Sequence, residues 1–304
     1  MSDHNRFASP VDTTTYGEYR YHRPAGDTRP LYRFTGRITD DGSSGFPAQP
    51  GRYHLYGGWF CPWSHRVTIQ RALRGLTNTI SVSFVDDQRD GRGWAFRERR
   101  GADPVNGFTL LRQAYEATEP GFDGHVSVPV LWDKHEGRIV SNDPATIGID
   151  LATQFGRWSN GESTYPGDLR DEIEALDRYL DPAVTRAVPL AAGDSGEALA
   201  ARERVNAAFT LLDQRLSQRR FLLGPQVTEA DVRLWVVLVR FDAGPNATRA
   251  INAGLPTFPH LWAYARDLFR LPAFRDTTVF DSFTIPGAEV PDWNAPVDRV
   301  LTPA

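Results

Sequence analysis

The sequence predicts two domains, an α/β domain followed by an all-α domain. Three observations carry this. Residues 51–160 mix short alternating, β-branched runs with helical spacing, in the order strand, helix, strand, strand, strand, helix. From residue 167 onward apolar residues recur three and four apart, and no strand pattern returns. A length of 304 residues is comfortable for two cores. The boundaries read as an N-terminal extension (1–50), the α/β domain (51–160), the helical domain (167–280) and a C-terminal extension (281–304).

Taken in order, residues 1–50 are rich in Pro, Gly, Asp, Ser and Thr without a sustained period, and are expected to form an ordered arm outside the core. "RYHLYGG" alternates as a strand, and a helix follows from Pro62 to about Arg74, with Gly75 in the C-cap position. "TISVSFVD" (79–86) is the second strand, and Gln88 to His125 is a long insertion. "VSVPVLWDKHEGRIVSND" reads as two strands turning at His135–Gly137, and "PATIGIDLATQF" has helical spacing. A proline inside "SVPV" either marks an edge strand or, in the cis form, ends the strand and exposes backbone. A βαβ unit, then ββα with that proline, is the thioredoxin-like arrangement. Tyr165–Gly167 reads as the linker. "DLRDEIEALDRYL", "EALAARERVNAAFTLLDQRLSQ", "TEADVRLWVVLVRF" and "FPHLWAYARDLFRL" supply the helices, with Thr228 and Asp231 as a capping pair.

Composition narrows the function. A net charge of -4 gives no electrostatic reason to expect nucleic acid or an anionic membrane. The first residues lack the apolar core of a signal peptide, and "LWVVLV" is too short to span a bilayer. One cysteine excludes an internal disulfide and fits a reducing cytoplasm. Lys134 is the only lysine, which argues against Schiff-base chemistry. The histidines show no metal-ligand spacing, so no metal is expected, and no glycine-rich phosphate loop points to a nucleotide.

That one cysteine, Cys61, sits in "GGWFCPWSHR", between Phe60 and Pro62, where the first strand gives way to a helix. Pro62 suits the first helical position, which leaves Cys61 facing unpaired N–H groups and the positive end of the helix dipole. Such a thiol drops from about 8.5 into the range of about 3.5–7.5 and becomes a nucleophile. Ser64 stands where a Cys-x-x-Cys pair would have its second thiol, so the chemistry is monothiol. His65 lies four residues on and Arg66 five; for His65 a structural hydrogen bond competes with a role as base.

"GRYHLYGGWFCPWSHR", "VPVLWDK", "IVSND", "FLLGPQVTEADVRLWVVLVRFDA" and "FPHLWAYARDLFRLPAF" together resemble the glutathionyl-hydroquinone reductases, the Xi class of the glutathione transferase superfamily. The resemblance spans about residues 30–304. It implies a thioredoxin-like thiol-binding domain plus a helical transferase domain, a homodimer, and catalysis by Cys61. It places Trp94 against an aromatic substrate and Val128 and Pro129 against the backbone of a thiol cosubstrate. Ser141, Asn142 and Asp143 begin the motif that receives the thiol's carboxylate, although simple N-capping accounts for the same residues. The arginines 92, 97, 99 and 100 beside Trp94 read as a solvated loop, with the alternative that one of them meets a substrate carboxylate.

The resemblance implies reductive removal of a low-molecular-weight thiol from a conjugated hydroquinone, through a mixed disulfide on Cys61. A conjugating transferase, a general thiol-disulfide oxidoreductase and a non-catalytic binding protein are the alternatives. The chain departs from the family at three places. Asp143-Pro144 replaces a Glu-Ser pair, Thr185 stands for a tyrosine of the helical domain, and Phe283 or Thr284 for another in the C-terminal arm. No cofactor is expected to be held permanently. The cosubstrate is glutathione or mycothiol, the latter suggested by the lost Glu-Ser pair and by an arginine-dominated composition typical of GC-rich actinobacteria.

Overall fold

The computed structural model describes residues 6–21, 23, 26–160 and 163–297. The chain divides into two compact units, Met1–Glu162 and Ser163–Ala304.

In the first unit a short helix α1 (Thr13–Tyr16) is capped by Asp12, whose carboxylate accepts from the Thr14 and Thr15 amides. Strand β1 (Tyr53–Gly57), helix α2 (Pro62–Leu73), strand β2 (Ser81–Phe84), helix α3 (Arg112–Thr118), strands β3 (Val130–Asp133) and β4 (Arg138–Ser141) and helix α4 (Pro144–Thr153) follow. The sheet order is β2-β1-β3-β4, with β1 parallel to β2 and antiparallel to β3, and β3 antiparallel to β4. This is the thioredoxin-like order. Gly75 takes φ 66° just past α2, the left-handed conformation that suits glycine after a helix.

Side-chain alternation gives the sheet two buried faces. On one, Tyr53, Leu55, Leu131 and Val140 pack with Val67 of α2 and with Ile147 and Leu151 of α4. On the other, Tyr56, Val130, Trp132 and Ile139 meet Ala114 and Tyr115 of α3 and Phe96 and Phe122 of the connecting segments. Helix α3 is thus a core element, which the sequence reading left inside an unassigned insertion. Only two of its seven residues are buried, too few to print a helical period.

The N-terminal arm is not outside the core. Ile38 and Ala48 are buried in the first cluster, and Phe34 packs on the second. The Gly36 amide donates to the Val140 carbonyl at 2.9 Å, and Asn142 N–H to the Phe34 carbonyl at 3.0 Å, so the arm lines the free edge of β4. A Cβ at Gly36 would lie 2.7 Å from that carbonyl, which explains the glycine. Buried Asp150 of α4 accepts from the Ile38 amide at 2.8 Å and from Arg37 at 2.5 Å. These bonds reach more than a hundred residues along the chain, and no local pattern announces them.

The second unit is helical: α5 (Arg170–Leu180), a π-helical turn (Asp181–Thr185), α6 (Ala187–Ala191), α7 (Gly196–Leu216), α8 (Glu229–Phe241), α9 (Pro259–Phe269) and α10 (Pro272–Arg275). Thr228 and Asp231 form the capping box of α8. Asp231 also accepts from the Leu222 amide and the Tyr264 hydroxyl, which ties α8 to its neighbours. Two segments are more integrated than expected. Tyr165 is buried and donates to Glu174 at 2.8 Å, and the Thr164 carbonyl accepts from the Glu229 amide, so this stretch belongs to the unit rather than forming a linker. Past α10, Trp293 is buried against Trp262, Phe269 and Trp235. Among the described residues no helix is long and apolar enough to cross a membrane.

His54 of β1 carries a pH dependence. It is fully buried, and its two ring nitrogens meet the Ser81 and Ser83 hydroxyls of β2 at 2.7 and 2.8 Å. Burial depresses its pKa from 6.5 to about 4. Between those values the unfolded chain binds a proton that the folded chain refuses. Stability therefore falls as pH drops through this window, by an amount on the order of 3 kcal/mol. Melting temperature against pH in His54→Gln should fall less steeply between about pH 6.5 and 4 than in the native chain; an identical slope would assign the loss to carboxylates instead.

Candidate active site

Pro62 begins α2 and Cys61 is its N-cap residue, with extended backbone (φ -85°, ψ 119°). The turn before the helix is fixed from within: the Cys61 amide donates to the Gly58 carbonyl at 3.0 Å, and the Gly58 amide to Ser64 Oγ at 3.2 Å. Ser64 is buried and serves as a brace for this turn. His65 is also buried; its amide closes the first turn on the Cys61 carbonyl, and its side chain is not part of the cavity described next.

Opposite the thiol lies the loop entering β3. The Val128–Pro129 peptide is cis, and Pro129 precedes the first paired residue, so its missing N–H costs the sheet nothing. Cys61 Sγ stands 3.5 Å from the Val128 carbonyl oxygen. The Val128 amide has no hydrogen-bond partner among the described residues. Tyr115 of α3 anchors this loop: its hydroxyl donates to the Ser127 carbonyl at 2.8 Å and accepts from the Ser127 amide at 3.1 Å.

A cavity of about 300 Å³ opens over the thiol, lined by Leu31, Tyr32, Phe60, Cys61, Trp63, Arg89, Trp94, His125, Ser127 and Val128. Trp94 belongs here, as expected, but not as an open stacking platform. Phe60 stacks on it at 4.3 Å between centroids, and the Arg89 guanidinium lies 4.2 Å from its ring centre. The Trp94 ring therefore already carries an aromatic and a cationic neighbour from the chain itself.

The arginines near Trp94 are not a solvated loop either. Arg92 binds Asp90, Ser9 and Pro10; Arg97 is buried and binds Asp86 and Ser9; Arg99 and Arg100 pair with Asp87. They fasten the arm and the insertion. Asp90 is held well below the usual carboxylate range, chiefly by its hydrogen bond from Arg92.

Ser141, Asn142 and Asp143 are occupied by the fold. Ser141 Oγ accepts from the Asp143 amide, and Asn142 bridges the Phe34 amide and the Tyr115 hydroxyl. Asp143 caps α4, accepting from the Ala145 amide at 3.0 Å and Thr146 Oγ1 at 2.7 Å. None of the three lines the cavity. Arg66 lies over the Trp63 ring at 5.5 Å. Thr185 and Phe283 fall in the second unit, at the end of the π-helical turn and under the Arg240 guanidinium respectively.

Residues 60–153 match the family "Glutathione S-transferase, N-terminal domain" and residues 168–267 match "Glutathione S-transferase, C-terminal domain". The glutathionyl-hydroquinone reductase YqjG of Escherichia coli is 35% identical over 277 residues, covering 89% of this chain and 84% of the relative. The chain belongs to the glutathionyl-hydroquinone reductase family, the Xi class of glutathione transferases. A second reductase, PcpF of Sphingobium chlorophenolicum, is 39% identical over 66% of each chain. The glutathione-bound structure of YqjG superposes with a TM-score of 0.82 at 32% identity, covering 88% of this chain and 96% of that one. The protein is thus a reductase-type enzyme of the transferase superfamily with the two-domain transferase fold.

Among the residues that line the cavity, the sequence alone did not point to Tyr32, Arg89 or His125. Tyr32 lies in the arm, where periodicity is silent. Its hydroxyl has no partner among the described residues, and burial, with Cys61 and Asp143 charge nearby, raises its pKa. It therefore stays a neutral donor at neutral pH. His125 accepts or donates to the Tyr19 hydroxyl at 3.0 Å. Placement of Cys61 at the start of α2 predicts fast alkylation whose rate inflects below about pH 8.5, the ordinary thiol value. Iodoacetamide kinetics followed by mass measurement will check this. An inflection at or above that value means that burial and the Val128 carbonyl outweigh the helix end.

Proposed function

We propose that this enzyme removes a low-molecular-weight thiol from a conjugated hydroquinone, with Cys61 as nucleophile. The observation that carries the reading is a lone thiol at a helix start that shares a ligand-sized cavity with Val128, whose backbone amide has no partner among the described residues. Its closest support by likeness is that both curated relatives named above are glutathionyl-hydroquinone reductases.

The Cys61 thiolate attacks the sulfur of the conjugate. A sulfur–sulfur bond forms and the carbon–sulfur bond to the ring breaks, its electron pair staying on the ring carbon, which takes a proton. The hydroquinone leaves, and Cys61 carries the small thiol as a mixed disulfide. A second thiolate attacks the sulfur of that bound thiol, giving the symmetrical disulfide and free Cys61 thiolate. Two thiols are oxidised by two electrons, and the ring carbon is reduced from C–S to C–H. No second cysteine exists to resolve the intermediate, so the solvent thiol must. The Val128 amide is placed to take a backbone carbonyl of the bound thiol, beside Pro129. Tyr32 has the free hydroxyl that a hydroquinone oxygen needs here, since Thr185 and Phe283 replace the family's tyrosines. A homodimer and a cytoplasmic setting belong to the same reading.

Cys61→Ala should abolish turnover and Cys61→Ser should leave little; mass measurement after incubation with conjugate should find one thiol on Cys61 and none on either variant. Substantial turnover by Cys61→Ala would move the nucleophile elsewhere.

The thiol itself is the finer question, and mycothiol is the first alternative to glutathione. Asp143 keeps one negative charge for a glutamyl ammonium, but spends lone pairs on capping α4. Pro144 offers neither hydroxyl nor amide. Two donors missing from a carboxylate cost about 1.5–3 kcal/mol each, or about tenfold or more in affinity apiece. The value of kcat/KM, measured for both thiols with one quinone-derived conjugate, should favour mycothiol; a clear preference for glutathione would make Asp143-Pro144 a neutral replacement.

A further inference from the structure

Arg89 differs from every other arginine around Trp94. Arg92, Arg97, Arg99 and Arg100 each reach an aspartate. Arg89 has no ion pair and no hydrogen bond among the described residues. Its guanidinium lies over two aromatic rings instead, 4.2 Å from the Tyr19 ring centre and 4.2 Å from that of Trp94. Phe60 stacks on Trp94 as well, so Tyr19, Arg89, Trp94 and Phe60 form one contiguous cluster. The Tyr19 hydroxyl is tied in turn to His125.

A guanidinium has two kinds of surface. Its faces stack on rings, and its edge carries five N–H donors in a fork that matches a carboxylate. At Arg89 the cation lies over two rings, its N–H donors have no partner among the described residues, and the residue lines the same cavity as Cys61. Partial burial lowers the Arg89 pKa, with only the Tyr19 hydroxyl acting against it, and among the described residues the charge has no counter-ion. Stacking removes the rotamer freedom that a long side chain would lose on binding, so a ligand anion meets a fork already in place.

We propose that Arg89 is the anion-recognising residue of this cavity, taking a carboxylate of the ligand on the edge of its guanidinium. The inference rests on the reading of the Cys61 cavity as the ligand site. The carboxylate has two possible sources: the thiol, if it is glutathione, or an acid substituent on the aromatic part. Mycothiol carries no carboxylate, so with that thiol the second source is the one that remains.

Two ligand pairs that differ only in carboxylate identify the source: S-methylglutathione against its diethyl ester, and 2,5-dihydroxybenzoate against hydroquinone. Binding to the full chain is measured by calorimetry, without turnover, so failure of Cys61 as nucleophile does not blur the result. The native protein should prefer the carboxylated member of at least one pair by about tenfold or more, the size of a charge-assisted hydrogen bond. That ratio should fall toward one in Arg89→Gln and survive in part in Arg89→Lys, which keeps the charge but not the fork. A purely structural arginine would change both members of a pair alike and leave the ratio standing. A preference that persists in Arg89→Gln overturns the proposal. So does the absence of any preference for either carboxylate in the native protein, whatever the variants do.

Discussion

Everything at the site depends on how β1 pairs with β3. The two strands run antiparallel with Tyr56 opposite Val130, so the chain leaving β1 and the chain entering β3 lie at the same end of the sheet. Cys61 follows the first by four residues, and Val128 precedes the second by two. Register thus brings the two loops together, and the Ser64 and Tyr115 anchors complete the 3.5 Å approach of thiol and backbone carbonyl. A slip of one residue would turn Tyr56, Val130 and Trp132 to the opposite face and separate the two loops. Burial of those side chains on a packed face is what resists the slip.

The arm supplies what the sheet cannot. Leu31 and Tyr32 line the cavity, and the Tyr19 ring lies under the Arg89 guanidinium. The arm stays in place through charge as much as through apolar contact. Arg33 binds Glu119 and Asp123, Arg29 binds Asp123, and Arg37 binds buried Asp150. From the other direction, Arg92 and Arg97 of the insertion grip the backbone at Ser9 and Pro10. The many arginines of this chain thus have an architectural use that their count does not disclose.

Local chemistry made much of this legible beforehand. Pro62 after Cys61, Gly75 after α2 and the Thr228–Asp231 pair each act within a few residues of themselves, and each stands where its type suggested. The strands in "RYHLYGG" and "VLWD" were legible too, although both of their faces are buried, His54 and Asp133 included, so alternation did not separate core from solvent. What stayed hidden was long-range. Nothing near Arg89 in sequence distinguishes it from Arg92; only Tyr19, seventy residues earlier, and the absence of an aspartate do. Ser141, Asn142 and Asp143 pointed toward ligand binding because their types suit it, yet each spends part of its hydrogen-bonding capacity within the fold, on Phe34, Tyr115 and α4. A polar motif states capacity, and tertiary contacts decide where it is spent.

A chain with one thiol also has a particular relation to its surroundings. On the proposed mechanism each cycle waits for a free thiol to arrive from solution, so the kinetics are ping-pong and turnover follows the reduced thiol pool. When that pool is depleted, the enzyme rests as its own mixed disulfide. In that form the sulfur is capped and reversible, shielded from the sulfinic and sulfonic acids that end the life of an exposed thiolate. Having no partner cysteine therefore gives a dormant state under oxidative stress, one that ends without a dedicated repair enzyme once thiol returns.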